Sequence, residues 1–410
     1  MSSVVDRLSE ESGKCIGCGF CESVCPTQPA SGYSESRGAR GRVLLSRELL
    51  TRVREGRDFS AMSDSFYSCL DCYACFEVCP AGVNAGVVSH YAKQLLAPVS
   101  APGAARLIES IVMRYGSLVP AGRGMCRWAK GLNIPRGGET ILYTGQMYQT
   151  MAYSSRLAKL LQMHIGGSDI AAELATRFPS LSRVAMLFKD RKLAAEMNGH
   201  LRDIAALLKL SGTEFGYLYE EEMYPGTLLN DFGFAESFAK YAVRLSDSFR
   251  RSGAKRIITV DPHTYDLLKN IIPSVISGFD FEVLHYLDMI GGVKLKNTGR
   301  KIVFHEPCHL SRRFPSFPAP NDLVGRACDV SMPSKSGRRT HCCGGPDELL
   351  FPETARAVST KRSEQLAEAG AEIVVTACPV CRVNIRTEGR ITDIAAILRE
   401  SASAARMTAP

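Results

Sequence analysis

At 410 residues, with 45% hydrophobic and 22% charged residues, the chain has the length of two or three domains and the means to bury its own core. No apolar run approaches the ~18 residues of a membrane-crossing helix, and the polar opening MSSVVDRLSEESGK lacks a secretion signal. Those exclusions predict a cytoplasmic protein. The formal charge of +8 suits an acidic protein partner, an anionic lipid surface, nucleic acid or plain solvation, and does not choose among them.

The fifteen cysteines are grouped. Eight lie between Cys15 and Cys79 and five between Cys308 and Cys381; only Cys126 and Cys328 stand alone. In a reducing compartment such clusters bind metal rather than form structural disulfides.

Residues 1–92 carry the first group as two copies of one motif: Cys15, Cys18, Cys21 and Cys25-Pro26 (CIGCGFCESVCP), then Cys69, Cys72, Cys75 and Cys79-Pro80 (CLDCYACFEVCP). Three thiolates at CxxC steps on a tight loop reach three corners of one cubane, and the fourth cysteine ligates the other cluster. The spacing therefore predicts two 4Fe-4S clusters, the first on Cys15, Cys18, Cys21 and Cys79, the second on Cys69, Cys72, Cys75 and Cys25. Gly17 and Gly19 allow a tight loop, and Pro26 and Pro80 end it. Paired zinc sites fit the pattern less well, because zinc motifs rarely repeat three CxxC steps before x3-Cys-Pro. Between the copies lies a basic GARGR stretch and a helix predicted over SRELLTRVREG, either a partner-docking surface or a cover for the cluster domain.

Residues 93–140 read as a helical linker. Their basic stretch 106–130, which holds Trp128, suits a linker or partner-contacting helix, or else peripheral contact with an anionic membrane. Residues 141–293 and 294–398 read as two α/β units, with strands in RVAMLF (183–188), RIITV, KIVFHEP and EIVVTACP and a helix start at Ser168 in GGSD. The run Glu220-Glu221-Glu222 reads as a solvated turn. The units repeat: SGAKRIITVDPHTY (252–265) aligns without gaps on AGAEIVVTACPVCR (369–382), preceded in both by an amphipathic helix. Asp261 then falls opposite Cys378 and Thr264 opposite Cys381. Residues 399–410 read as a frayed tail.

The second cysteine group is Cys308, the adjacent Cys342-Cys343 before Gly344-Gly345, and Cys378-x2-Cys381. Sulfurs on a glycine loop and at a strand end can meet at one centre: an iron–sulfur cluster, zinc, or a redox dithiol. His305, His309 and His341 flank these cysteines and read as packed or loop residues rather than ligands. No catalytic acid–base set is evident, and no GxGxxG follows a strand, so nucleotide binding is not expected.

The spacing of Cys308, Cys342-Cys343-Gly344 and Cys378-x2-Cys381 resembles the cysteine-rich CCG domain. Joined to a two-cluster ferredoxin domain, it is similar to the iron–sulfur subunits of glycolate oxidase, anaerobic glycerol-3-phosphate dehydrogenase and heterodisulfide reductase. The Cys25-Pro26-Thr27 and RGARGR segments fit the glycolate oxidase type. That resemblance implies an α/β fold overall, with a mainly helical ferredoxin-like domain followed by two CCG units. The first unit departs from the family: Gln146, EEEMYPGTL and Asp261-Pro262-His263-Thr264 stand where cysteines belong. The resemblance implies a further iron–sulfur cluster or zinc on Cys308, Cys342, Cys343, Cys378 and Cys381, with FAD only in a partner dehydrogenase subunit. The expected role is electron transfer from that flavoprotein, acting on a 2-hydroxy acid such as glycolate or lactate, to a quinone or other carrier. Peripheral association with the inner face of the cell membrane is compatible with that role. The alternative is thiol–disulfide reduction at the CCG cysteines. No nucleic-acid partner is expected, since no groove-binding motif accompanies the cysteines.

Overall fold

The structure, a computed structural model, describes residues 3–119, 122–153, 188–317, 319–387 and 389–407. At the N-terminus three helices surround the cysteine loops. Helix α1 (Val4–Gly13) starts at a capping box in which Ser3 Oγ accepts from Asp6 N and Ser3 N donates to the Asp6 carboxylate. Helix α2 (Ala39–Glu55) includes the predicted SRELLTRVREG helix but begins earlier, at Ala39, and ends where Gly56 turns left-handed. Helix α3 (Ala85–Ser100) is capped by Asn84. Leu8, Val43, Leu50, Val88, Ala92 and Leu96 meet in one core, the last three at i, i+4 spacing along one face of α3. The expected domain break at residue 92 therefore falls inside a packed helix. Helix α4 (Gly103–Tyr115) follows. No single helix among the described residues is long and apolar enough to cross a membrane.

Two parallel sheets form the rest. In chain order the elements are β1 (Thr140–Tyr143), α5 (Arg191–Leu210), α6 (Ala235–Arg251), β2 (Arg256–Thr259), α7 (Pro262–Asp266), β3 (Glu282–His285), β4 (Lys301–His305), β5 (Asp329–Ser331), α8 (Pro352–Ala367), β6 (Ile373–Thr376), α9 (Pro379–Asn384), β7 (Arg390–Asp393) and α10 (Ile394–Met407), among shorter turns. The strand orders are β1-β2-β3 and β5-β4-β6-β7. RIITV, KIVFHEP and EIVVTACP each contain a strand; RVAMLF and Ser168 lie outside the described residues, except for Phe188.

The strand registers carry the repeat from sequence into space. Thr140 pairs with Arg256, and Ile302 pairs with Ile373. Since Arg256 corresponds to Ile373, Thr140 corresponds to Ile302, and Gln146 takes the position of Cys308. The helices after β2 and β6 match as well: each has proline in its first turn, α7 beginning at Asp261 and α9 at Cys378.

Two features differ from the expectations drawn from sequence. Trp128 is fully buried, donating from Nε1 to Tyr217 OH at 3.1 Å, so it belongs to the core rather than to a membrane or partner surface. Residues 399–407 of the expected tail are instead the end of α10, which packs on α5 and buries Ser401 and Ala402; 408–410 lie outside the described residues. Helix amphipathicity persists through IAAILRESASAA because Ile394, Ile397, Leu398, Ser401 and Ala402 recur on the buried side at helical spacing.

Candidate functional site

The two N-terminal motifs adopt the same backbone. In the first, Gly17 and Gly19 have φ of 76° and 83°; in the second, Asp71 and Tyr73 take φ of 47° and 59° at the equivalent positions. The loop thus needs left-handed residues between its cysteines, and the second copy adopts them without glycine, at some conformational cost. Short 3-10 turns (Phe20–Val24 and Phe76–Val78) then deliver Cys25 and Cys79.

These loops surround two small cavities that are partly open to solvent. Cys25, Cys69, Cys72 and Cys75 line the first; Cys15, Cys18, Cys21 and Cys79 line the second. Each cavity takes three cysteines from one motif and one from the other. Among the described residues, no three His, Cys, Asp or Glu side chains are grouped to hold a single metal ion. The eight cysteines instead stand around space, as an iron–sulfur cubane with thiolates at its corners requires, so the donor set fits that group. Burial pushes the Cys21 and Cys69 thiols up to about 12, so ionising them needs a cationic centre.

The two surroundings differ. On the Cys15 side, Cys18 is exposed and is flanked by Ile16 and Phe20, 70% and 61% exposed. On the Cys69 side, Arg42 is 1% exposed; its guanidinium donates to Thr27 Oγ1 at 3.0 Å, Ser68 Oγ at 3.0 Å and Cys25 Sγ at 3.9 Å. Lys93, also buried, donates to Asp71 at 2.8 Å and to the Cys69 carbonyl at 3.4 Å. Arg312, from the C-terminal half, donates to the Cys72 carbonyl at 2.6 Å and to the Thr340 carbonyl.

The five C-terminal cysteines are all buried and meet. Cys308 packs with Cys342 in one buried cluster, and the adjacent Cys343 packs with Cys378 and Cys381 in another. The loop is shaped by Gly344, at φ 80°, whose N–H donates to Cys342 Sγ at 3.4 Å. A sixth sulfur joins this group, which sequence reasoning missed: Cys72 packs with Cys308 and Cys342 in one buried cluster. Its neighbour Cys342 and the Arg312 charge, working against burial, lower the Cys72 thiol from its ordinary value. Leu70, Ala74 and Val358 pack around the junction. The flanking histidines have other partners. His305 Nδ1 accepts from Arg362 at 2.9 Å, His309 pairs with Asp266 at 3.1 Å, and His341 Nδ1 lies 2.9 Å from the Cys342 carbonyl. Cys328 is buried in the main core beside Thr298, away from these sulfurs.

In the first α/β unit a polar network occupies the corresponding place. Glu222 is not solvated: Glu220 and Glu221 reach Arg136 at the surface, but Glu222 is buried. Its carboxylate accepts from Thr144 N, Thr144 Oγ1 and Tyr217 OH at 2.6–2.8 Å, and its carbonyl accepts from Gln146 Nε2 at 2.6 Å. Burial, opposed by these donors, raises the Glu222 carboxyl to about 7. Asp261 Oδ1 caps α7, accepting from His263 N and Thr264 N at 3.0 Å.

Comparisons with known proteins agree with this geometry. The 4Fe-4S dicluster domain family matches residues 11–83, and the cysteine-rich CCG domain family matches residues 302–386. A probable membrane-anchored ferredoxin of Chromohalobacter salexigens is 24% identical over 90% of this chain and 55% of its own. An EtfAB:quinone oxidoreductase of Syntrophomonas wolfei is 29% identical over 43% of this chain and 27% of its own. One subunit of the dihydromethanophenazine:CoB–CoM heterodisulfide reductase of Methanosarcina barkeri is 23% identical over 92% of this chain and 88% of its own. The chain thus spans about half, or less, of the length of the first two. It is an iron–sulfur protein that joins an N-terminal 4Fe-4S dicluster domain to a C-terminal CCG domain, and in that pairing it resembles the iron–sulfur subunits of oxidoreductases.

Proposed function

We propose that this chain is the electron-transfer subunit of an oxidoreductase complex, relaying single electrons between a flavoprotein dehydrogenase and a quinone or other acceptor. One observation carries the reading: Cys72 lines the buried N-terminal cavity and also touches Cys342, while Cys18 of the other cavity reaches the surface. Cys15, Cys18, Cys21 and Cys79 would hold one 4Fe-4S cluster, and Cys25, Cys69, Cys72 and Cys75 the other. Cys308, Cys342, Cys343, Cys378 and Cys381 would hold a third centre, iron–sulfur or zinc. Bound there, iron–sulfur clusters supply reversible one-electron storage. The chain's own contribution is to keep two sites dry and adjacent and to leave one near solvent for a partner. Residues 141–293 act as a CCG-type scaffold without metal, because a carboxylate and a hydroxyl do not replace thiolates at a soft centre.

Hydride chemistry belongs to the partner's FAD. A 2-hydroxy acid such as glycolate or lactate is the substrate implied by the sequence resemblance. The membrane-anchored relative favours peripheral association with a membrane. Anaerobic purification with iron, sulfide, zinc and flavin analysis tests the proposal. About eight irons in the N-terminal domain, flavin only in a co-purifying partner, and no substrate oxidation by the flavin-free chain are expected. Two zincs per N-terminal domain, or substrate-dependent reduction of the purified chain, refutes it. The reductase relative, which matches nearly end to end, favours a second reading: thiol–disulfide reduction at the C-terminal cysteines. Disulfide reduction by the isolated chain with an artificial electron donor would select that reading.

A further inference from the structure

The two N-terminal sites share a ligand plan but not an electrostatic setting. Around the Cys69 site three buried cations each bond to a different ligand residue: Arg42 to Cys25 Sγ, Lys93 to the Cys69 carbonyl and Arg312 to the Cys72 carbonyl. Lys93 is offset by Asp71 at 2.8 Å. Arg312 divides its donors among the Cys72, Arg338 and Thr340 carbonyls. Arg42 divides its donors too, among the Ser65 carbonyl, Thr27, Ser68 and Cys25, but it is the one of the three that hydrogen-bonds a ligand sulfur. It does so together with Thr27 Oγ1, which lies 3.3 Å from the same Cys25 sulfur and itself donates to the Arg37 carbonyl. Around the other site Arg47, exposed, donates to the Cys15 carbonyl at 2.9 Å, and Arg40, one third exposed, pairs with Glu22 at 3.4 Å. Water weakens the field of both, and the carboxylate weakens that of Arg40 further.

A cluster gains negative charge when it is reduced. A buried positive charge and a hydrogen bond at a ligand sulfur therefore stabilise the reduced form and raise the potential. The effect is strong only where water is excluded. We propose that Arg42 raises the reduction potential of the cluster bound by Cys25, Cys69, Cys72 and Cys75, through its contact with Cys25 and its link to Thr27, and so biases electrons toward the site that abuts Cys342. Arg42 is a positioning and tuning residue here, and the inference rests on the two-cluster assignment.

The experiment is an EPR-monitored redox titration of the full chain, reconstituted anaerobically, with iron counted in every sample. Arg42→Met is expected to lower one of the two N-terminal potentials and leave the other in place. Arg42→Lys, which keeps a charge, is expected to retain most of the original value. Arg40→Met should not move the wave that Arg42→Met moves. Cys18→Ser, which removes a ligand of the other cluster, identifies the surviving wave as the Cys69 site's. If Arg42→Met does not hold its iron, Arg42→Gln, which keeps an N–H donor and removes the charge, carries the test: the same wave must fall. Iron-replete Arg42→Met with both potentials unchanged, both shifted equally, or only the Cys15-site wave lowered overturns the inference. Failure of the underlying assignment is seen separately, as wild-type protein that does not bind about eight N-terminal irons.

Discussion

Replacing Gly344 by alanine should break the C-terminal site without touching a sulfur. Gly344 follows the vicinal pair at φ 80°, a conformation that costs an L side chain roughly 1–2 kcal/mol. An added Cβ would also lie well inside contact distance of the Ala355 carbonyl on α8, a backbone atom that cannot swing aside. Overpacking of this kind costs roughly 1–3 kcal/mol, so the total is ~2–5 kcal/mol. Gly370 supplies the control. Its φ is 69° but nothing lies within 4 Å of a Cβ built there, so Gly370→Ala should lose only the conformational ~1–2 kcal/mol. Urea denaturation of both metal-free variants, followed by circular dichroism, measures the difference. Anaerobic metal analysis then reads the site: Gly344→Ala should lose the C-terminal centre and keep the ferredoxin spectrum, and Gly370→Ala should keep both. Equal destabilisation of the two variants with both centres intact would show that the loop is not held by this contact.

Two further outcomes are expected. Glu222 is raised from 4.5 to about 7 in the fold, so above pH 4.5 the folded chain holds a proton that the unfolded chain has released. Its stabilising contribution is full below that pH and is lost as pH rises through 7, by up to about 3 kcal/mol. Glu222→Gln should flatten the decline in urea midpoint between pH 5 and 8, and an unchanged slope would assign the titration to another buried acid. Asp261→Ala should cost ~1 kcal/mol as a lost helix cap and leave metal content unchanged, whereas Cys342→Ser should abolish the C-terminal centre alone; metal loss in Asp261→Ala would put a site in the wrong repeat.

The motif spacings and the repeat were legible because each is local. CxxC steps define a loop, and β-branched runs before X-Pro define a strand and turn. Burial decided over long distances was not legible. Glu222 looks like its exposed neighbours in sequence, yet Thr144, 78 residues earlier, supplies two of its donors. Trp128 sits in a basic stretch and is drawn inward by Tyr217. Cys72 carries a clear ferredoxin signature, but its contact with Cys342 depends on how two domains pack. Arg42 was visible only as a letter in RGARGR; its importance comes from the side chain turning inward from α2 onto Cys25.

Asp261 and Cys378 begin equivalent helices, one with a carboxylate and one with a thiol. The Asp261 carboxylate accepts from the amide hydrogens of His263 and Thr264, whereas burial pushes the Cys378 thiol up, so α9 starts without a charged cap. Strand, proline turn and helix are built in both units, with a carboxylate at the helix start in one and a thiol in the other. For engineering, restoring thiols at residues 146, 261 and 264 would surrender the hydrogen bonds that Gln146 and Asp261 now make, and at residue 146 it would also have to turn a left-handed backbone (φ 57°) to the right-handed one (φ −59°) that Cys308 adopts.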